Sequence, residues 1–177
     1  GRPLTPSRFL AMTDECARQA SQVAIPIAAI GIIIGIAVQS NLAIKFSTEM
    51  LAFGGGTLVG SLVFVALGII ILGMGLPTVA AYVIGAILFV PALQKLGVDA
   101  LAAHFFVLFF SVLAMVTPPV ALASYTAAGI ARANPNITGL YAFILGLPSF
   151  LIPVAFVRDP AILFVGDWND IALAAVT

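Results

Sequence analysis

Residues 57–93 read TLVGSLVFVALGIIILGMGLPTVAAYVIGAILFVPAL: two apolar runs, 57–72 and 79–93, joined by Gly73-Met74-Gly75-Leu76-Pro77-Thr78. A second apolar stretch, 100–131, is interrupted by Thr117-Pro118-Pro119. In hydrocarbon every backbone N–H and C=O needs a partner, so a broken helix persists only where protein or a watery cavity covers it. Two breaks in neighbouring hydrophobic segments mark a midplane binding site. Alone, Thr117-Pro118-Pro119 would equally suit a structural kink; the pair favours a site. Each arm of 57–93 falls short of the about 20 residues that a full span takes. The arms therefore suit a re-entrant hairpin, with two short spans joined by a tight turn as the other reading.

Composition puts these segments in a bilayer. The 177 residues are 62% hydrophobic and 8% charged, whereas a soluble domain is about 25% charged. Mean hydropathy is +1.21. No Asp, Glu, Lys or Arg occurs in 50–94, 100–131 or 133–157. An all-α integral membrane protein is expected. The zero net charge offers no basic face for nucleic acid. Cys16 is the only cysteine, so an intrachain disulfide is excluded, and no Cys/His cluster suggests a metal. The start, Gly1-Arg2-Pro3-Leu4, has no initiator Met and no signal-peptide pattern. Residues 171–177 turn apolar again, which reads as a truncated further span of a longer protein.

Along the chain, 1–21 is polar and reads as an aqueous or surface segment, helical from Pro6 with Thr5 as N-cap. The transport unit, 22–157, divides into a span 22–39, the hairpin 57–93, the broken helix 100–131 and a span 139–157. Gly31 and Gly35 form a GxxxG pattern, which either lets another helix approach or arises by chance. Residues 40–56 are mixed and end in the bend Gly54-Gly55-Gly56. Residues 94–99 and 132–138 read as turns. The remainder, 158–177, is extramembrane at first, with Trp168 at an interfacial position.

A broken helix has two opposite ends. Carbonyls at 73 and 116 carry partial negative charge, and amides following Pro77 and Pro119 carry partial positive charge. Carbonyl ends suit a hard cation; amide ends suit a carboxylate. The cation-binding candidates are Gly73, Met74, Gly75, Thr78, Val116 and Thr117. The substrate-binding candidates are Pro77, Thr78, Thr117, Pro118, Pro119 and Ser124. No catalytic residue and no resident metal or cofactor is expected. Ser124, Tyr125 and Thr126 either line the cavity or join helices. His104 reads either as a packing residue or as a coupling group.

The runs GMGLPTVAAY (73–82) and FVPALQKLGVDALAAHFFVLFFSVLAMVTPPVALASYTAAGIA (89–131) resemble the large membrane subunit of the TRAP transporters, most closely its fused type. GIIIGIAVQSNLAIKFS (31–47) and TGLYAFILGLPSFLIPVAFV (138–157) are similar to the same family. Ser40-Asn41 departs from the Thr-Gly expected there. The resemblance implies the C-terminal half of an inverted-repeat elevator carrier in a bacterial or archaeal cytoplasmic membrane. It implies import of a small organic acid handed over by an extracytoplasmic binding protein, coupled to a cation gradient, with sodium the expected ion. It also implies a small membrane subunit or domain, the other half of the permease, and contact with lipid.

Basic residues barely orient the chain. Arg2, Arg8, Arg18 and Arg132 share one side, against Lys45, Lys95 and Arg158, which favours the first set in the cytoplasm. A channel or facilitator would use the breaks as a permanent pore. An intramembrane enzyme would need convergent titratable groups, and the spans offer only His104.

Overall fold

The computed structural model describes residues 5–166. Trp168, the apolar run 171–177 and Gly1 to Leu4 lie outside the described residues. Among the described residues the chain is all helical: α1 Pro6–Gln39, α2 Leu42–Phe53, α3 Leu58–Gly73, α4 Thr78–Lys95, α5 Ala100–Leu113, α6 Leu122–Ala131, α7 Pro135–Gly146 and α8 Ile152–Arg158. Short 3-10 turns follow α5, α7 and α8. Thr78–Lys95 and Pro135–Arg158 are long and apolar enough to cross a membrane.

α1 differs from the expected division at residue 21. It runs unbroken from the polar segment through Pro26 to Gln39, and the Thr5 carbonyl accepts from the amides of Arg8 and Phe9. Among the described residues a Cβ on Gly31 or Gly35 would meet nothing within 4 Å, so none of them packs closely on the GxxxG pattern. α2 was not expected. Its polar Lys45, Thr48 and Glu49 lie exposed, while Met50 reaches the core.

α3 and α4 form the hairpin. Thr57 caps α3 by accepting the Gly60 amide. Gly68 lets the arms close, because a Cβ there would lie 2.7 Å from Phe89 Cζ. One face of α3 buries Leu62, Val65 and Ile69; the other exposes Val59, Val63, Leu67 and Ile71 at four-residue spacing. Such an apolar outer stripe suits lipid or another membrane segment. α5 sits behind the hairpin, with Ala102, Ala103, Phe106 and Val107 buried. Phe105 and Phe109 meet Phe156 of α8 edge-on. The last apolar segment is α-helical from Pro135, passes into a 3-10 turn at Leu147–Phe150 beside Gly146 and Pro148, and resumes as α8.

Candidate functional site

Both breaks form where expected. α3 ends at Gly73 and α4 starts at Thr78. Gly75 takes φ +82°, a conformation that favours glycine because it has no Cβ. α5 passes into a 3-10 turn, Ala114–Val116, and the chain is extended at Thr117 before α6 begins at Leu122. The Pro118-Pro119 peptide is cis.

The tip and the break meet. A Cβ on Gly73 would lie 2.6 Å from Ala114 Cβ, so the hairpin end sits directly on the turn that leads into the break. Met74, Thr117 and Pro118 line one cavity of about 560 Å³ with Leu62, Ile70, Phe106, Phe110 and Phe150. That volume lies within the about 300–1,000 Å³ usual for small-molecule sites, but the space is a groove open to the outer face, since Val59, Val63, Leu67 and Ile71 of the exposed α3 stripe also line it. The tip is only partly covered, with Gly73 buried but Gly75 and Pro77 exposed. Pro119 is also exposed.

Thr117 is 8% exposed, and its hydroxyl donates to the Leu113 carbonyl at 2.7 Å. The single hydroxyl hydrogen is thereby committed, leaving the oxygen lone pairs to accept or to ligate. Carbonyls are available as well. Among the described residues no hydrogen bond reaches the Met74 or Gly75 carbonyl oxygen, whereas that of Gly73 accepts from Leu76 N. The Pro119 carbonyl is taken by the Tyr125 hydroxyl at 2.6 Å. Tyr125 therefore braces the break.

Helix starts show a contrast that sequence reading missed. α3, α5 and α7 begin at turns and are capped by the side chains of Thr57, Asp99 and Asn134. α4 and α6 begin at the breaks and have no side-chain cap, their N-cap residues being Pro77 and Ala121. α2 is likewise uncapped, behind Asn41. The first amides of α4 and α6 thus keep donors to offer. Ser124, in the first turn of α6, is 4% exposed, and its hydroxyl has no partner among the described residues. Thr78 opens α4 and is half-buried. The Thr126 hydroxyl donates to the Leu122 carbonyl in its own helix.

The family described as "Tripartite ATP-independent periplasmic transporter, DctM component" has a model that matches residues 2–159. The chain belongs to the DctM family. No curated protein and no solved structure matches it. DctM proteins are the large membrane component of TRAP-type secondary transporters. They work with a substrate-binding protein and a small membrane component. The interrupted helices of this chain are therefore those of a transporter.

Proposed function

We propose that this DctM chain supplies half of the midplane site of a sodium-coupled importer for a small organic acid. The observation that carries the reading is that the Gly73 tip packs on Ala114 while Met74, Thr117 and Pro118 line one cavity beside that contact. In this reading the hairpin is re-entrant. Sodium is held by carbonyls of Gly73, Met74, Gly75 and Val116 and by hydroxyl oxygens of Thr78 and Thr117, since a hard cation takes oxygen ligands. The substrate carboxylate meets the uncapped amides after Pro77 and after Pro118-Pro119, with Ser124 donating beside them.

No basic residue lies within 100–131 or 50–94, so carboxylate recognition from this side uses helix amides and hydroxyls alone. An inverted mate, not contributed by residues 57–131, completes the site, and rigid-body movement of the pair carries the solute across. An extracytoplasmic binding protein delivers the acid, the small component supports the carrier, and the location is the cytoplasmic membrane.

The test is uptake into vesicles containing the full-length permease, its small component and its binding protein, using a panel of labelled mono- and dicarboxylates. Uptake above the outside concentration, requiring an inward sodium gradient and the binding protein, is expected. Equilibration without any gradient would replace the carrier by a facilitator. Vesicles holding residues 1–177 alone should accumulate nothing; robust uptake by them would remove the half-site.

A further inference from the structure

A row of amides at the start of α6 has no acceptor among the described residues. The Thr117 amide donates to the Ala114 carbonyl, and Pro118 and Pro119 have no N–H. The next backbone bond runs from the Tyr125 amide to the Ala121 carbonyl, at 2.9 Å. Between them the amides of Val120, Ala121, Leu122, Ala123 and Ser124 meet no acceptor among the described residues. At α5 and α7 the corresponding donors are taken up by the side chains of Asp99 and Asn134. The row at α6 is partly shut off from the outside as well. Ala121 is fully buried, and Ser124, with its unpartnered hydroxyl, is 4% exposed.

Backbone with so few bonds does not hold its own shape, since a proline ring fixes only its own φ. Among the described residues one side-chain bond ties the break to α6: the Tyr125 hydroxyl donates to the Pro119 carbonyl at 2.6 Å. Its direction is settled, because a carbonyl oxygen can only accept. The neighbouring hydroxyls serve other ends. That of Thr117 turns back to the Leu113 carbonyl in α5, and that of Thr126 stays within α6. The Tyr125 ring is itself backed by α7. A Cβ on Gly139 would lie 3.3 Å from Tyr125 Cε1 and 3.6 Å from Ala121 Cβ, so a residue without a side chain lets α7 support the ring and the helix start together.

The same bond removes a competitor. The Pro119 carbonyl oxygen carries partial negative charge and precedes the unpaired amides by one residue. Left without a donor, it would contend with an incoming anion for those amides. Bound to the phenol, it does not.

We propose that Tyr125 is a positioning residue for the anion end of the transport site, holding the amides of 120–124 in place and keeping the Pro119 carbonyl off them. The inference rests on the reading above in which this helix start receives a carboxylate. Tyr125 acts there through the backbone, not by touching the acid.

The test uses the full-length permease with its small component in detergent. A solute that binds only the folded form raises the unfolding temperature by mass action. Acetate, pyruvate and succinate are titrated as choline salts at constant sodium, and sodium is titrated separately without acid at constant ionic strength. Tyr125→Phe removes the hydroxyl and keeps the ring against Gly139. It should need about three- to ten-fold more of whichever acid stabilises the parent, as expected for loss of a hydrogen bond of ordinary net strength. Its sodium titration should match that of the parent. Thr126→Val, which removes the hydroxyl next along α6, should leave both titrations unchanged. General loosening of the break would weaken sodium together with the acid, because Thr117 belongs to the same break. That result, or a parent-like acid titration in Tyr125→Phe, would overturn the proposal. If none of the three acids stabilises the parent, the carboxylate reading fails and this inference fails with it, so the parent alone tells the two failures apart.

Discussion

Gly73 and Ala114 touch where the hairpin tip rests on the turn beyond α5, with room for no more than a hydrogen on Gly73. An added Cβ would lie 2.6 Å from Ala114 Cβ, and 3.5 Å from Ala81 Cβ on the opposite arm. The contact couples the two breaks sterically. A shift of either one has to be answered by the other.

Gly73→Ala should therefore destabilise the protein by about 1–3 kcal/mol, the usual cost of overpacking. Ala114→Gly opens the opposing side, so the double variant should recover part of the loss beyond the sum of the single effects. Thermal unfolding of the full-length permease in detergent checks this. Strict additivity would mean that the two residues do not share the contact.

Variants of Thr117, proposed above as an ion ligand, separate ion binding from packing. Sodium that binds only the folded form raises the unfolding temperature by mass action. Thr117→Val keeps the β-branched shape and removes the oxygen, so the sodium-dependent rise should shrink strongly. Thr117→Ser should retain most of it. Melting curves in sodium and in potassium at equal ionic strength decide the matter. An unchanged rise in Thr117→Val would leave carbonyl oxygens as the ligands or move the ion elsewhere.

Ser124 and Ser61 both bury hydroxyls that have no hydrogen-bond partner among the described residues. An unmet buried polar group costs about 1–3 kcal/mol, and removing it with little change of shape is nearly neutral or stabilising. Ser124→Ala and Ser61→Ala should both leave the ligand-free protein at least as stable as the parent. Ser61 packs against Gly54, far in sequence from either break. Only Ser124→Ala should reduce uptake of the transported acid, expressed as a raised KM. Equal effects of the two variants on KM would remove Ser124 from the site.

Asp99 caps α5 through the amides of Leu101 and Ala102, at 2.8 and 3.3 Å. Asp99→Ala should cost about 1 kcal/mol and Asp99→Asn much less, because asparagine is also a good cap. A lowered unfolding temperature with unchanged sodium dependence is the expected pattern. A loss of sodium dependence in Asp99→Ala would show that this cap reaches the site.

Much of the architecture was legible in the sequence because Gly and Pro interrupt apolar runs with no charged residue to confuse them. Residues 73–78 and 117–119 are breaks for that local reason. α2 was hidden because Lys45, Thr48 and Glu49 dilute its apolar residues, and its burial of Met50 depends on tertiary packing. Pro26 marks no boundary, since α1 continues past it. The wiring around the candidate residues was not legible in the sequence. Which hydroxyl hydrogens are spent, as in Thr117 and Tyr125, follows from the fold. So does the meeting of Gly73 with Ala114, for which a small residue opposite a glycine leaves no mark along the chain. The hydrogen bond between the Tyr82 hydroxyl and His104 Nδ1, at 3.0 Å, likewise joins α4 to α5 and has no local signature.

The missing side-chain caps of α4 and α6 bear on how the proposed carrier avoids leaking. Helix-starting amides without partners are costly in hydrocarbon, by several kcal/mol each. A capped start could cross the membrane empty at little expense. These two starts cannot, because each must be covered either by water or by an anionic group at every stage of the cycle. Bound acid satisfies them; an empty site has to bring its water along or stay where it is. Futile return of a half-loaded carrier is then disfavoured by backbone solvation alone, without any moving gate to prevent it.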